Sequence, residues 1–276
     1  MKKKILALNL CIALLLPAAG CITGGDGGIT EEVEEDGGAD SNSGTESMQS
    51  AEENGTQNGG NEVDIVVYAE YIRVTVDNVN IRGGAGTGYT VLGTAEQDTY
   101  YALAGETDGW YKINYLGGTA YISKNYAENY LMATEDRAVE NVIEQGAKLL
   151  GTPYVYGAVR CHDGKGNLNS GFTTSQFDCS SLTQYIFYKG ADVLLNVTTR
   201  TQILQGTTVD VTEIKRGDLL FFTNASRYNN SGIERVGHVA LYLGNNLILH
   251  TSSDYAKIEE ISSARWGYFL QAQRML

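Results

Sequence analysis

The chain has 276 residues and a formal net charge of −13, room for one large domain or for a small and a medium one. An acidic balance with no basic patch excludes nucleic acid as a natural partner. Four cysteines (Cys11, Cys21, Cys161 and Cys179) form no CxxC pair and no zinc spacing with the three histidines, His162, His238 and His250, so no metal site, redox pair or other cofactor is implied.

Residues 1–20 have the three parts of an export signal: Lys2-Lys3-Lys4, an apolar run from Ile5 to Leu16, and the small residues Ala18-Ala19-Gly20 directly before Cys21. The alternative, a transmembrane anchor, is disfavoured by the shortness of the run and by Pro17. From Ile22 to Glu62 the chain is rich in Gly, Ser, Asn and Glu and carries −11 of the net charge. Such a segment has too little apolar surface to fold and reads as a flexible tether over residues 21–62. Its mean reach is roughly 35 Å.

Residues 63–130 read as a small all-β barrel. The strand candidates are Val74-Thr75-Val76, Val79-Asn80-Ile81, Tyr100-Tyr101-Ala102-Leu103, Trp110-Tyr111-Lys112-Ile113 and Ala120-Tyr121-Ile122. They are rich in β-branched and aromatic residues and separated by Gly-containing turns. The run Gly83–Gly88 is a loop rather than a phosphate cradle, since no helix pattern follows it. Trp110 fits two roles, a core aromatic or a groove residue.

Residues 134–276 read as α+β. A helix is expected after Thr134-Glu135-Asp136, capped by the Thr134 hydroxyl, with an apolar face of Ala138, Val139, Val142, Ile143, Ala147 and Leu150 and an end at Gly151. A polar, Gly-rich loop from Ala158 to Gln176 contains Cys161 and His162, the latter expected to be solvated. A second helix starts at Cys179 with Asp178 as its N-cap and stops at Gly190. A thiol in that first turn feels the positive end of the helix dipole, which favours thiolate. The structural alternative for Cys179 is a buried, inert thiol. Buried strands are expected at Leu219–Phe222, Gly237–Leu243 and Leu247–His250.

A three-residue loop, Gly244-Asn245-Asn246, would place Leu243 opposite Leu247 and His238 opposite Ser252. His250 then lies on the face of His238, one diagonal step away, whereas a two-residue loop puts them on opposite faces. Cys179, His238 and His250 thus match in type a nucleophile, its base and an orienting group. Each histidine alone also fits a structural role.

Three resemblances follow. The small residues before Cys21 resemble the lipobox of bacterial lipoproteins, with Ala18 where Leu is usual. This implies a lipidated Cys21 and an extracytoplasmic, membrane-anchored protein. Val79-Asn80-Ile81-Arg82, the Gly-rich loop, Val91-Leu92-Gly93, Gly109–Ile113 and Ala120-Tyr121-Ile122 resemble a bacterial SH3-like domain. Such domains bind cell-wall peptides or shape a neighbouring enzyme's cleft.

Gly151–Gly157, Phe177–Leu182, Arg200-Thr201, Gln205-Gly206, Gly217–Phe222, Gly237–Gly244 and His250 resemble the NlpC-type family of papain-like cell-wall cysteine peptidases. The resemblance implies Cys179 as nucleophile, His238 as base and His250 as orienting residue. Tyr154 and the Cys179 N–H become oxyanion donors, and Asp178 and Ser180 contacts for the amino end of a peptidoglycan stem peptide. The family's usual bond joins D-glutamate, through its γ-carboxyl, to a diamino acid. Ser181 where Gly is usual, Ala158, Arg216 and the long loop before Cys179 depart from the pattern. Ser181 is expected to narrow the site's floor, and the loop to cap the cleft or alter specificity. In an oxidising compartment Cys161 could also pair with Cys179. The alternatives are an inactive wall-binding lipoprotein, an N-acetylmuramoyl-L-alanine amidase or an acyl transferase.

Overall fold

The computed structural model describes residues 66–276. The expectations for the signal, Cys21 and the acidic tether lie outside the described residues. Among the described residues, no helix is long and apolar enough to cross a membrane.

The first seven strands are β1 (Tyr68–Val74), β2 (Val79–Arg82), β3 (Val91–Ala95), β4 (Thr99–Thr107), β5 (Trp110–Tyr115), β6 (Gly118–Ser123) and β7 (Ala127–Ala133). β1 begins well before the expected Val74-Thr75-Val76 and pairs along its whole length with β7. Strand β7 is absent from the sequence-based expectations, because only Ala127 and Met132 of its side chains are buried. Trp110 is half-buried and lines a groove of about 510 Å3 on the barrel with Asn78, Arg82 and Tyr126.

Helix α1 (Arg137–Ala147) is capped by Asp136, whose carboxylate accepts from the Val139 N–H at 3.0 Å. Thr134, expected to be the cap, instead donates to the Val67 carbonyl. The helix ends at Ala147 rather than at Gly151 because the β5–β6 turn takes over: the Leu116 and Gly117 N–H groups donate to the Leu150 and Lys148 carbonyls. Gly151 has φ +84°, and a Cβ there would lie 2.3 Å from the Tyr115 ring, so that position requires glycine on two counts.

Helix α2 (Cys179–Ala191) runs beyond the expected stop, to a C-cap at Asp192 in the left-handed conformation. Gly190 is therefore not its end. A Cβ at Gly190 would lie 2.5 Å from the Val142 backbone, so this glycine lets α1 and α2 approach closely. After the short α3 (Thr199–Gln202) come β8 (Thr207–Val209), β9 (Leu219–Phe222), β10 (His238–Gly244), β11 (Leu247–Ser252), β12 (Tyr255–Glu260), α4 (Ser263–Trp266) and β13 (Phe269–Arg274). The sheet reads β12-β11-β10-β9-β13-β8, antiparallel throughout.

Alternation along these strands divides the core. Leu219, Phe221, Val239, Leu241 and Leu249 pack with α1 and α2, whereas Leu220, Phe222, Ala240 and Ile248 pack on the other face with Trp266 and Phe269. The barrel joins this sheet through β4, where Tyr100 and Thr99 pair with Ile258 and Glu259 of β12. Barrel and this sheet thus belong to one unit. Arg216 reinforces the junction. It is 3% exposed as a side chain and donates to Glu140 of α1, to the Tyr71 hydroxyl of β1 and to the Leu243 carbonyl of β10.

Candidate active site

The β10–β11 connection is a two-residue turn. Asn245 and Asn246 both have positive φ, 50° and 63°, as such hairpin turns require. Gly244 faces Leu247, and a bulge between Tyr242 and Gly244 then shifts the register so that Tyr242 faces Ile248 and Leu241 faces Leu249. The expected three-residue loop is thus corrected, but the extra residue of the bulge restores the register that loop would have set. Continued to the strand start, this register places His238 opposite Ser252 and His250 opposite Ala240, on one face. His238 Nε2 lies 3.0 Å from His250 Nδ1.

A carboxylate that sequence reasoning does not single out extends this pair. His250 faces Lys257, so Glu259 is the next diagonal step across β12. Its Oε1 is 2.9 Å from His250 Nε2. The signal is available in principle: an acid two residues beyond the position facing His250, once the Ser252–Tyr255 turn is recognised. Burial opposes the charge on Glu259. The hydrogen bond from His250 and the Lys257 and Arg265 cations outweigh it and hold the carboxyl below its ordinary value.

This chain of contacts fixes the protons. A carboxylate only accepts, so His250 donates from Nε2 and its neutral ring accepts at Nδ1. His238 then donates from Nε2, and its Nδ1 lone pair is left free. Burial lowers the pKa of both rings, that of His238 well below its ordinary value, with His250 and Arg265 adding to the effect. Both are neutral at pH 7.

Cys179 is the first residue of α2, which packs on β10, and its sulfur feels the nearby N–H groups of Val239 and Ser180. It shares with His238 and Tyr154 a cleft of about 410 Å3, also lined by Phe222, Asn224, Arg265 and Tyr268. The expectation of a favoured thiolate is corrected. Burial pushes the thiol up to about 12, and the Asp178 carboxylate adds to the rise. The two backbone N–H groups and Arg160 offset it only in part. The resting pair is a neutral thiol beside a neutral imidazole. Tyr154 also keeps its proton, through burial and the neighbouring Cys179 and Asp178.

Asp178 is the N-cap of α2, accepting from the Ser181 N–H at 2.9 Å. Ser181, expected to narrow the floor of the site, closes a capping box: its hydroxyl accepts from the Asp178 N–H, also at 2.9 Å. It is fully buried and does not line the cleft. Ser180 donates to Asp178 Oδ1 at 3.1 Å. Arg160, from the long loop, forms an ion pair with Asp178 Oδ2 at 2.8 Å. His162 is fully buried rather than solvated: its Nδ1 accepts from Gly164, and its ring meets Tyr188 edge-on at 5.3 Å. Cys161 and Cys179 are both free thiols. Among the described residues no cluster of His, Cys, Asp and Glu could hold a metal ion.

Residues 151–275 match the NlpC/P60 family and residues 77–128 the bacterial SH3 domain. The chain is 30% identical over 147 residues to the peptidoglycan DL-endopeptidase CwlO of Bacillus licheniformis, covering 52% of this chain and 29% of that protein. It is 36% identical over 126 residues to the peptidoglycan endopeptidase RipB of Mycobacterium tuberculosis, covering 46% and 48%. The chain thus spans half or less of the length of these relatives. Among solved structures, an NlpC/P60 family protein of Bacillus cereus is 22% identical with a TM-score of 0.40, covering 75% of this chain and 64% of that one. The chain is thus similar to the NlpC/P60 family over residues 151–275, an α+β unit, and to the bacterial SH3 domain over residues 77–128.

Proposed function

We propose that this protein is a cysteine endopeptidase of the cell wall that cuts peptidoglycan stem peptides between D-glutamate, at its γ-carboxyl, and the diamino acid that follows. The reading rests on one observation above the others. Cys179 and His238 line one cleft, and His238 leads through contacts of 3.0 and 2.9 Å to His250 and Glu259.

In this mechanism His238 Nδ1 takes the thiol proton as Sγ attacks the carbonyl carbon, so thiolate forms only as it is used. The protonated His238 is stabilised through His250 by Glu259, as a third group stabilises the base of other triads. The Tyr154 hydroxyl and the Cys179 N–H, which has no intrahelical acceptor, donate to the developing oxyanion. His238 returns the proton to the leaving amine. Water, activated by the same imidazole, then hydrolyses the acyl-enzyme and frees Sγ.

Defined muropeptides and mass spectrometry of the products test the assignment. The expected products are a fragment ending in D-glutamate and one beginning with the diamino acid. No cleavage, or equal cleavage by Cys179→Ala, sinks the reading. Products split at the sugar–peptide bond would instead make it an amidase, and transferred acyl groups a transferase. We further propose that Cys21 is lipidated and anchors the enzyme to the outer face of the membrane. Radiolabelled palmitate should enter the wild type and not Cys21→Ser; equal labelling of both refutes the anchor.

A further inference from the structure

The long loop before Cys179 sends one side chain back to the start of α2. Arg160 pairs with Asp178 Oδ2 at 2.8 Å, donates from Nη2 to Ser180 Oγ at 3.0 Å and from Nε to the Val197 carbonyl at 2.9 Å, and its Nη1 also meets the Ala158 carbonyl. The pair is withdrawn from water, with side-chain exposures of 16% for Arg160 and 5% for Asp178. The rest of the Asp178 carboxylate is also engaged. Oδ1 accepts from the Ser181 N–H and the Ser180 hydroxyl, and Oδ2 from the Gly157 N–H.

The direction of the substrate follows from the chemistry proposed above, on which this inference rests. His238 protonates the leaving amine, so the leaving group lies on the His238 side, along Thr223, Asn224, Arg265 and Tyr268. The acyl part and its amino end lie on the other side of Cys179, toward Tyr154 and the start of α2. A bare carboxylate at that place would attract the ammonium of a free amino terminus. Here a guanidinium already neutralises it. An incoming ammonium would have to displace Arg160 from a desolvated pair or sit beside a like charge, and both are costly. An acylated nitrogen carries no charge and meets neither cost.

We propose that Arg160 is a specificity-determining residue: by occupying Asp178 it makes the cleft select stem peptides whose amino end is acylated, as in intact wall, over peptides with a free ammonium. This selection works by penalising the wrong ligand as well as by fitting the right one.

The test uses two synthetic stem peptides of one sequence, one with a free amino end and one acetylated, and compares kcat/KM. The wild type should favour the acetylated peptide by at least about tenfold. Arg160→Gln, which frees Asp178, should lose or invert that preference, and Arg160→Lys, which keeps the charge, should retain its direction. A wild type that prefers the free amine, or an Arg160→Gln ratio equal to the wild-type ratio, overturns the inference. If neither peptide is cut, the peptidase reading fails by itself. The affinities of Cys179→Ala for the two peptides, measured by calorimetry, then decide the present point: a preference for the acetylated form supports it, and equal affinity overturns it. Should Arg160→Gln fail to fold, the wild-type and Arg160→Lys ratios decide instead: a shared preference for the acetylated peptide supports the inference, and its absence from either overturns it.

Discussion

At the scale of single residues, Glu259 is the group whose removal should be most informative. It fixes which nitrogen of His250 carries the proton, and through His250 which nitrogen of His238 is free. Glu259→Ala should lower kcat by about 100-fold, within the range of acid–base contributions, with circular dichroism unchanged. Glu259→Gln keeps an acceptor for His250 but loses the charge, and its loss should be smaller, about tenfold. An unchanged kcat for Glu259→Ala would remove it from the relay. The protonation state of Cys179 has its own test. The thiol is pushed up to about 12, so the thiolate fraction grows with every rise in pH across the neutral range. Alkylation of the free enzyme by iodoacetamide should therefore accelerate through pH 9 without a plateau; a plateau below pH 8 would mean that a stable thiolate–imidazolium pair exists. Turnover should behave differently. His238 is held well below its ordinary value, so its basic form persists as pH falls past 6.5, and kcat/KM should keep its value there. Cys179, His238 and His250 can be singled out in the sequence because their residue types are rare or their spacing is regular, and Tyr154 only through the family resemblance. Glu259 becomes legible only once the turn between β11 and β12 is recognised, and Arg160 not at all, because it acts through a fold that brings the long loop back to the start of α2.

At the scale of elements, the hairpin shows what periodicity can and cannot carry. Alternation in β10 and β11 requires the two histidines to share a face, and that requirement is met. Periodicity does not reveal how the chain satisfies it, because a bulge adds a residue that alternation alone cannot locate. Helix ends are legible only where a cap acts locally. Asp178 is such a cap, and the capping box with Ser181 explains a serine where the family pattern has glycine. Glycine is common past helix ends, and by that rule Gly190 looks like a stop. It serves instead as the contact point of α1 on α2, visible only once both helices are packed. Gly190→Ala puts a methyl group 2.5 Å from the Val142 backbone, which cannot withdraw as a side chain could. The substitution should cost about 1–3 kcal/mol in urea denaturation, as overpacking does. A helix-propensity effect alone would stabilise the protein, since alanine is the better helix former by about 1 kcal/mol. The sign of the change therefore decides between the two accounts.

At the scale of the whole molecule, the two family domains are not beads on a string. β4 completes the barrel and also pairs with β12, the strand that carries Glu259, so the barrel borders the element that orients the histidines. Composition separates the two units but cannot reveal a shared sheet, because strand pairing between remote segments leaves no local periodicity. Arg216 is the polar counterpart of this junction, where the family resemblance leads one to expect proline. Replacing it with methionine keeps much of the bulk but leaves Glu140, the Leu243 carbonyl and the Tyr71 hydroxyl without their partner. Breaking a buried pair from one side costs about 3 kcal/mol. The chain supplies its own reporters, since Trp110 lies in the barrel and Trp266 beside the catalytic sheet. In Trp110→Phe and Trp266→Phe each remaining tryptophan reports one half. Their fluorescence midpoints in urea should coincide in the Arg216-containing protein, because a sheet and a core that run through both halves unfold together. Arg216→Met should move both midpoints down by the same amount. If the barrel signal stays in place while the catalytic signal falls, the halves are separately stable, and the barrel cannot be what holds Glu259 in position.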